Sequence, residues 1–224
     1  MMTNKELIAR RVAAELKDGD VVNLGIGLPT MVANYVDPDL NMILESENGF
    51  TGLGPMPEDG HEDWSITNAG GMPVTITPGG AFFDSADSFA MIRGGHVDIT
   101  VLGALQVDER GALASWMVPG KTVPGMGGAM DLVVGARRVI VAMEHCNKNG
   151  EPKILERCNY PLTAQSGVNR IVTEMAVIDV TENGLVLSEY NPQYGIEAIQ
   201  KATGAKLRIA DDLLVMATDQ HEMV

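Results

Sequence analysis

Apolar residues recur along the chain at two spacings, one typical of amphipathic helices and one of buried strands. The first helix is predicted to open with the capping-box pair Thr3 and Glu6 and to end near residues 17–19. Its apolar stripe at helical spacing consists of Leu7, Ile8, Val12 and Leu16. The same criteria predict further helices at residues 30–35, 85–93 and 194–202.

Short continuous apolar runs predict strands that are covered on both faces. They lie at residues 21–24, 42–44, 96–102 and 139–143, with a last strand at 205–210. Residues 176–180 and 185–187, joined through Glu182-Asn183-Gly184, predict a hairpin. Strands of this kind interspersed with helices predict an α/β sheet with helices on both faces, mostly parallel with an antiparallel part.

Two segments fit neither spacing. Residues 51–80 are rich in glycine and proline and are predicted as a long loop, and residues 114–131 form a second glycine-rich segment. Acidic residues around His61 suggest a metal site. A solvated acidic loop is favoured instead, because no second histidine stands at ligand spacing.

Composition narrows the classes of function. The formal net charge of −14 argues against binding to nucleic acid or to an anionic membrane. No apolar run approaches the ~18 residues that a membrane-spanning helix needs. Two cysteines, Cys146 and Cys158, are too few for a disulfide framework or a zinc site. We expect one domain over residues 1–224, in a soluble, cytoplasmic protein.

The candidate chemistry begins with Ser46-Glu47-Asn48-Gly49, which follows a predicted strand. A carboxylate at the carboxyl end of a strand in an open α/β sheet faces the crevice where ligands bind, and in a dry pocket it can attack an activated acyl carbon. For this motif alone, a solvated loop carboxylate would be the better interpretation. Gly25 and Gly27 form a turn between a strand and a helix start, which suits anion binding. A purely structural turn is favoured there, because neither dinucleotide nor Walker A spacing is met.

Motifs in a fixed order decide between these interpretations. From about Asn4 to Ala210 the chain resembles the B (β) subunits of the two-subunit 3-oxoacid CoA-transferases, such as butyrate–acetoacetate and succinyl-CoA:3-ketoacid CoA-transferase. The resemblance rests on residues 23–29 (NLGIGLP), 46–49 (SENG), 68–70 (NAG), 92–96 (IRGGH), 119–121 (PGK) and 125–131 (GMGGAMD). It implies the open three-layer α/β/α fold that CoA-transferases share with some sugar-phosphate isomerases.

The resemblance also implies roles for individual residues. Glu47 corresponds to the covalent nucleophile, and Gly128 to the glycine that supplies an oxyanion-hole N–H. Substrate or CoA binding is expected at Asn23, Gly25, Gly27, Asn48, Lys121 and Gly127. For Lys121, a solvated surface charge is an equally weighted alternative.

The implied reaction moves CoA from an acyl-CoA to a carboxylate through a glutamyl-CoA thioester, with ping-pong kinetics. CoA thioesters are the substrates, and neither a metal nor another cofactor is expected. The resemblance places the second oxyanion donor, a glutamine, on a separate A (alpha) subunit. A complex of two A and two B chains is expected. Residues 68–71 and 104–108 favour the butyrate–acetoacetate branch over the succinyl branch.

Two positions depart from the family pattern, and two other classes remain as alternatives. Glu45 stands where the family has Gln or His, and Thr51 replaces an apolar residue. Glu45 and Glu47 would share a face if the strand continued, which would raise the pKa of one of them. A non-catalytic ligand-binding domain or an isomerase of the same fold are the alternatives. A ligand-binding domain of a regulator would be accompanied by a basic helix-turn-helix, which this sequence lacks. An isomerase would not explain the Glu47 motif.

Overall fold

The computed structural model describes residues 2–121, 123 and 125–218. Its strands are β1 Val21–Leu24, β2 Ile43–Ser46, β3 Phe50–Leu53, β4 Ile76–Phe82, β5 Ile99–Leu102, β6 Gln106–Asp108, β7 Leu113–Ala114, β8 Arg138–Ala142, β9 Ile154–Leu155, β10 Arg170–Val172, β11 Ala176–Thr181, β12 Gly184–Tyr190 and β13 Leu207–Val215. Its helices are α1 Asn4–Ala13, a 3₁₀ helix Leu28–Tyr35, α2 Ser85–Arg93, α3 Ala129–Gly135 and α4 Ile196–Ala202.

Ten strands form one mixed sheet in the order β13-β12-β11-β10-β8-β5-β1-β2-β3-β4. The central strands β10, β8, β5, β1 and β2 are parallel neighbours. Antiparallel strands β11 and β3–β4 flank them, and β13 pairs in parallel with β12 at one edge. A separate three-stranded sheet has the order β7-β6-β9. The predicted α/β class is confirmed.

Two apolar clusters cover the two faces of the large sheet, because alternate residues of each central strand point to opposite faces. One cluster packs α1 and the 3₁₀ helix on the sheet, with Ile8, Val12 and Val32 at its centre. The other packs side chains of α2, α3, α4 and the small sheet on the opposite face. The continuous apolar runs of the sequence reflect this burial on both sides.

The carboxyl ends of the parallel strands lie along one edge of the sheet. Residues 25–27 follow β1 there, the Glu47 turn follows β2, and Gly103 follows β5. In an open α/β sheet this edge is where ligands bind. The fold therefore brings two of the sequence motifs together on adjacent strands.

Several predicted boundaries were wrong, and tertiary contacts explain the differences. The capping box is present, but α1 ends at Ala13, and hydrogen bonds of the i→i−3 type replace the helical ones at Glu15 and Leu16. The helix predicted to be capped by Thr30 is a 3₁₀ helix that starts at Leu28, and the Thr30 hydroxyl donates instead to the Gly25 carbonyl.

The predicted loop at 51–80 contains most of β3 and all but the end of β4. These strands pair antiparallel at the sheet edge with a register shift, so they show no alternation of apolar and polar residues. The strand predicted at 205–210 runs on to Val215, because its pairing with β12 resumes beyond a second register shift. The glycine-rich segment 114–131 includes the end of β7 and the start of α3, and its positions 122 and 124 lie outside the described residues.

Candidate active site

Glu47 occupies the tight turn that joins β2 to β3. The turn closes with a 2.9 Å hydrogen bond from the Gly49 N–H to the Ser46 carbonyl. Gly49 has φ 128°, and a Cβ at this position would lie 2.4 Å from the Phe83 carbonyl oxygen, so only glycine fits. Glu47 is therefore held at the first central position of a turn whose geometry is defined on both sides.

Side chains on either side of Glu47 tie this turn to the following loop. The Ser46 hydroxyl donates to Asn48 Oδ1 at 2.6 Å, and Asn48 Nδ2 donates to the Thr67 carbonyl at 2.7 Å. Ser46 Oγ also accepts from the Ala69 N–H at 3.2 Å. The SENG and NAG motifs, which are well separated in sequence, therefore form one structural unit. The predicted role of Asn48 in substrate binding stays a prediction.

The Asn23 side chain links Glu47 to Glu45. Asn23 Nδ2 donates to Glu45 Oε2 at 2.7 Å and to Glu47 Oε2 at 3.0 Å. On the other side, Asn23 Oδ1 accepts from the Thr100 hydroxyl at 3.5 Å. Parallel pairing causes this arrangement, since Asn23 on β1 lies opposite Glu45 on β2 and Thr100 on β5.

Asn23 has no exposed surface. Its amide nitrogen is directed at the two carboxyl groups, so Asn23 holds the Glu47 side chain from the interior of the protein. The predicted direct contact between Asn23 and CoA stays a prediction.

Glu45 is buried, with 4% of its surface exposed, and it points away from solvent beneath α2. The Ser88 hydroxyl donates to its Oε1 at 2.8 Å. Burial raises the pKa of Glu45 above its ordinary value of 4.5, and the nearby Glu47 carboxylate raises it further, while the hydrogen bonds from Asn23 and Ser88 act in the opposite direction. The strand does not continue to Glu47, because β2 ends at Ser46, so the shared strand face that the expectation assumed is absent. The pKa of Glu45 is nevertheless raised, with burial as its main cause.

Gly128 lies directly against Glu47. It is buried at the N-cap of α3, and a Cβ built on it would meet Phe89 ring carbons at 3.1 Å and Glu47 Cγ at 3.3 Å. Two glycine-containing motifs from distant parts of the sequence thus meet at one carboxylate. The predicted function of Gly128 as an oxyanion donor stays a prediction.

Gly25 does not offer its N–H to a ligand. That N–H donates to the Val101 carbonyl at 2.9 Å, and a Cβ on Gly25 would approach the same oxygen to 3.0 Å. The Gly25 amide is therefore used to join β1 to β5, and the predicted CoA binding at Gly25 stays a prediction. The structural turn that was favoured for Gly25 on sequence grounds is the arrangement found.

Gly27 lies at the rim of an open cavity of about 240 Å³. Its lining is mostly apolar and includes Leu24, Ile26, Leu44 and Met72, together with Ser46 of the turn. Gly27 is exposed and caps the 3₁₀ helix. This position is compatible with the predicted binding role, which stays a prediction.

Lys121 and Gly127 belong to the loop that leads into α3, and Lys121 is exposed. The backbone N–H of Lys121 closes a turn onto the Val118 carbonyl at 3.1 Å. Both residues lie outside the apolar core, in the loop that ends beside Glu47. The predicted binding roles of Lys121 and Gly127 stay predictions, as does the solvated-charge alternative for Lys121.

The remaining ionisable candidates have structural surroundings. His145 is fully buried between the Thr173 and Thr203 hydroxyls, 2.9 Å from each, and burial lowers its pKa to about 4, so it is neutral at pH 7. Burial raises the pKa of the Cys158 thiol to about 12. Asp98 accepts from Arg137 and from the Val21 N–H, as expected for a structural role.

Within residues 2–121, 123 and 125–218, no cluster of three His, Cys, Asp or Glu side chains has the geometry of a metal site. In the same ranges no helix is long and apolar enough to cross a membrane.

Sequence reasoning missed Ser88 and Thr100. Ser88 lies in a predicted helix and Thr100 in a predicted strand, and nothing in either local pattern distinguishes them from solvent-facing residues. The signal that identifies them is the sheet register, which places β5 beside β1, together with the packing of α2 over β2. Thr100, Asn23, Glu45 and Ser88 form a buried polar row, and Asn23 links this row to Glu47.

Known proteins provide an independent comparison. The family model described as Coenzyme A transferase matches residues 5–202. The chain is 56% identical over 220 residues to the beta subunit of acetate CoA-transferase from Haemophilus influenzae, covering 98% of each chain. It is 48% identical over 205 residues to the B subunit of succinyl-CoA:3-ketoacid coenzyme A transferase from Helicobacter pylori, covering 92% of this chain and 99% of that protein.

A solved structure supports the fold. The apoenzyme of an acyl-CoA transferase from Escherichia coli O157:H7 superposes with a TM-score of 0.75 at 23% identity. The alignment covers 96% of this chain and 43% of the other, so this chain spans less than half of that protein. At this identity the likeness concerns the fold alone.

Proposed function

This chain belongs to the coenzyme A transferase family, as a subunit of the B (beta) type, and on that basis we propose that Glu47 is the nucleophile that carries CoA between two carboxylic acids. The observation that carries the proposal is the position of the Glu47 side chain. It lies in a defined turn at the carboxyl edge of the sheet, with the Asn23 amide on one side and Gly128 on the other. Family membership decides against the non-catalytic domain that the sequence left open.

The proposed reaction is a series of acyl transfers, and in each one a new bond to the acyl carbon replaces the bond that breaks. Glu47 Oε attacks the thioester carbonyl of an acyl-CoA, the C–S bond breaks, and an acyl-glutamyl anhydride and CoA thiolate result. The thiolate then attacks the Glu47 carbonyl carbon, and the first carboxylate leaves as a glutamyl-CoA thioester forms. An acceptor carboxylate reverses both steps and departs as the new acyl-CoA. Because the thioester is retained on the enzyme, no ATP or other cofactor is required.

Each step passes through a tetrahedral oxyanion, so aligned hydrogen-bond donors are expected to lower the barrier. The backbone of Gly128 lies beside Glu47, where such an oxyanion would form. We assign the Gly128 N–H to this role. A second donor is assigned to the partner A subunit, in accord with the subunit naming of the relatives.

For the substrates, we favour acetate and other short-chain or 3-oxo acids. The relative from H. influenzae is named for acetate and is more similar to this chain than the succinyl-CoA relative from H. pylori, at 56% against 48% identity. The small apolar cavity beside Ser46 suits a short acyl group better than a second carboxylate. Succinyl-CoA:3-ketoacid transfer remains the second candidate on the strength of the H. pylori relative.

Trapping the covalent intermediate tests the proposed nucleophile. The chain together with its A subunit is incubated with acetyl-CoA in the absence of an acceptor, and peptides are analysed by mass spectrometry. We expect CoA to be attached to the peptide that contains Glu47 and to be released by hydroxylamine. Glu47→Ala is expected to lose both adduct and turnover, whereas Glu58→Ala, at an exposed loop position, keeps both. Acyl exchange by Glu47→Ala at the wild-type rate would show that the nucleophile lies elsewhere.

A further inference from the structure

The buried carboxyl group of Glu45 has no part in the reaction described above. It is nevertheless joined to Glu47 through a single donor, because Asn23 Nδ2 is 2.7 Å from Glu45 Oε2 and 3.0 Å from Glu47 Oε2. A side-chain amide nitrogen carries two hydrogens, one for each carboxyl oxygen. The opposite orientation of the amide would place its carbonyl oxygen against both carboxyl groups and would leave the Thr100 hydroxyl without this acceptor.

Two ionised carboxylates in this arrangement would repel each other, and the repulsion would be strong because Glu45 is 4% exposed. Glu47 is partly exposed at the reacting face, so it retains more of the hydration that stabilises a charge. The group that is less costly to keep neutral is therefore Glu45. Its Oε1 lies 2.8 Å from the Ser88 hydroxyl, which can accept a hydrogen bond from a protonated Oε1 as well as donate one.

Few charged groups act on Glu45. Asn23 of β1 and Ser88 of α2 contact its side chain, Thr51 of β3 is its register partner, and none of the three titrates. Asp87 of α2 and Asp84, the N-cap that precedes this helix, are both exposed, and the Asp84 side chain accepts the Asp87 N–H. Glu47 is the charged group that raises the pKa of Glu45, in addition to burial.

We propose that Glu45 is a positioning residue for Glu47: it stays protonated while Glu47 is ionised, and it anchors the Asn23 amide so that one N–H of that amide is aimed at the nucleophile. This inference rests on the proposed function of Glu47. It adds a requirement for pH, because ionisation of Glu45 would place a second negative charge next to the oxyanion that forms in each step. Turnover should then fall as the pH rises through the pKa of Glu45.

Three substitutions separate this role from a purely structural one. Glu45→Gln preserves an acceptor for Asn23 and presents an amide N–H to Ser88, so it resembles the protonated acid. We expect its turnover in the complex with the A subunit to stay within about twofold of wild type near neutral pH. Glu45→Ala removes the acceptor and should lower kcat about tenfold with little change in KM, as expected when a buried donor loses its partner. Glu174→Gln is the matched control, a buried carboxyl group whose pKa is also raised but which lies outside this site.

The pH profile is the first readout. The alkaline decline of kcat/KM that arises from Glu45 should be absent in Glu45→Gln and present in wild type and in Glu174→Gln. An alkaline decline in Glu45→Gln that matches wild type would overturn the proposal, as would equal activities of Glu45→Gln and Glu45→Ala at every pH.

The second readout does not depend on activity. Infrared difference spectra between wild type and Glu45→Gln isolate the carbonyl stretch of a protonated Glu45, and this band is followed as a function of pH. The titration is then repeated with Glu47→Gln present in both proteins. We expect Glu45 to titrate above its ordinary value of 4.5, and at a lower pH when residue 47 is uncharged. If Glu45 has already lost its proton, with Glu47 present, at the pH where the complex turns over fastest, the inference is wrong even if the CoA adduct forms. If Glu45 is protonated but no CoA adduct forms on Glu47, the protonation state inferred for Glu45 holds and the proposed nucleophile is refuted.

Discussion

At the residue scale, the site depends on how closely backbone and side chains approach Glu47. A Cβ on Gly128 would lie 3.1 Å from Phe89 ring carbons and 3.3 Å from Glu47 Cγ, so any side chain there must displace one of them. Asn23 and Glu45 approach from the sheet side and are buried. Glu47 is therefore held between a backbone surface and a polar row, with its remaining side open to the edge of the sheet.

Substitutions at Gly128 distinguish crowding from loss of a donor. Gly128→Ala adds a Cβ but keeps the N–H, and the displaced carboxylate should lower kcat about tenfold. Gly128→Pro adds the same crowding and removes the N–H. Proline can adopt the backbone conformation of this position, because Gly128 has a φ of −79°. We expect Gly128→Pro to be slower than Gly128→Ala by a further ~10²–10³-fold.

Steady-state kinetics and melting temperatures of both variants check this prediction. Gly103→Ala serves as control, because a Cβ on Gly103 meets nothing within 4 Å. If folded Gly128→Pro and Gly128→Ala had equal turnover, the oxyanion donor would have to be another group, such as the Gly127 N–H.

At the element scale, the β2–β3 turn and the attachment of α1 have different physical origins. The turn depends on backbone conformation at Gly49 and on contacts with the chain around Phe83. Helix α1 is attached by apolar packing and, through Arg11, by a network of ion pairs on Glu15, two residues beyond the helix end. That residue contacts Arg11 at 2.7 Å, Arg138 at 2.5 Å and Arg170 at 2.6 Å.

The turn prediction concerns Gly49→Ala. The substitution imposes a positive φ on a residue with a Cβ and also drives that Cβ into the Phe83 carbonyl, so unfolding free energy should fall by roughly 2–3 kcal/mol. Gly60→Ala, at φ 84° with no atom within 4 Å, carries the conformational strain alone and should lose about 1 kcal/mol. Urea denaturation of the two variants measures the difference. Equal losses would mean that the contact with Phe83 relaxes freely.

The attachment prediction concerns the pH dependence of stability. Burial alone would raise the pKa of Glu15, but Arg11, Arg170 and Arg138 together lower it from 4.5 to about 2. A depressed folded-state pKa gives stability that is present above pH 4.5 and is lost as the pH falls toward 2. Glu15→Gln should therefore be less stable than wild type at pH 7 by roughly 2–3 kcal/mol, after allowance for the partial exposure of Arg138 and Arg170, and the gap should narrow below pH 4.5.

Denaturant unfolding at pH 7 and pH 3 tests this expectation. Asp131→Asn is the control, since Asp131 pairs with Arg93, whose side chain is 63% exposed, and should change stability by less than about 1 kcal/mol. A Glu15→Gln deficit that stays constant over this pH range would exclude the ion pairs as its cause.

At the scale of the whole molecule, the described residues form a Glu47 site that is open along the sheet edge. The relatives are named as beta or B subunits, which implies a partner A subunit. Exposed apolar side chains near this edge include Ile26 and Met72. The net charge of −14 also means that anionic CoA must be bound by local donors against the overall field. A location in the cytoplasm and a complex of two A and two B chains stay predictions.

We expect the chain without its A subunit to show negligible transferase activity. Binding energy from the parts of CoA remote from the thioester must be used to drive the reaction, and part of that surface is assigned to the partner. Adding the A subunit should restore ping-pong kinetics, and light scattering should report a heteromer. Full activity of this chain in a preparation shown by mass spectrometry to lack the A subunit would contradict the two-subunit interpretation.

The amino-acid sequence by itself determined the elements whose signals are local. The Thr3–Glu6 capping box predicted the start of α1, the apolar runs predicted β1, β2 and β8, and the order of motifs led to the family and to Glu47. These signals depend on neighbours within a few residues, or on an order along the chain that needs no coordinates. The sequence also identified Glu45 and Glu47 as a pair whose charges would interact.

Only the tertiary structure decided which distant groups meet. Parallel pairing of β1, β2 and β5 places Asn23 between Glu45 and Thr100, and packing of α2 adds Ser88 to the same buried row. The loop before α3 brings Gly128 against Glu47, and the join of β1 to β5 consumes the Gly25 N–H. Strands β3 and β4 were not predicted for the same reason. Their hydrogen-bonded pairing at the sheet edge makes them strands, although their sequences show no regular apolar spacing. Register and long-range packing set these contacts, and neither is encoded in the spacing of neighbouring residues.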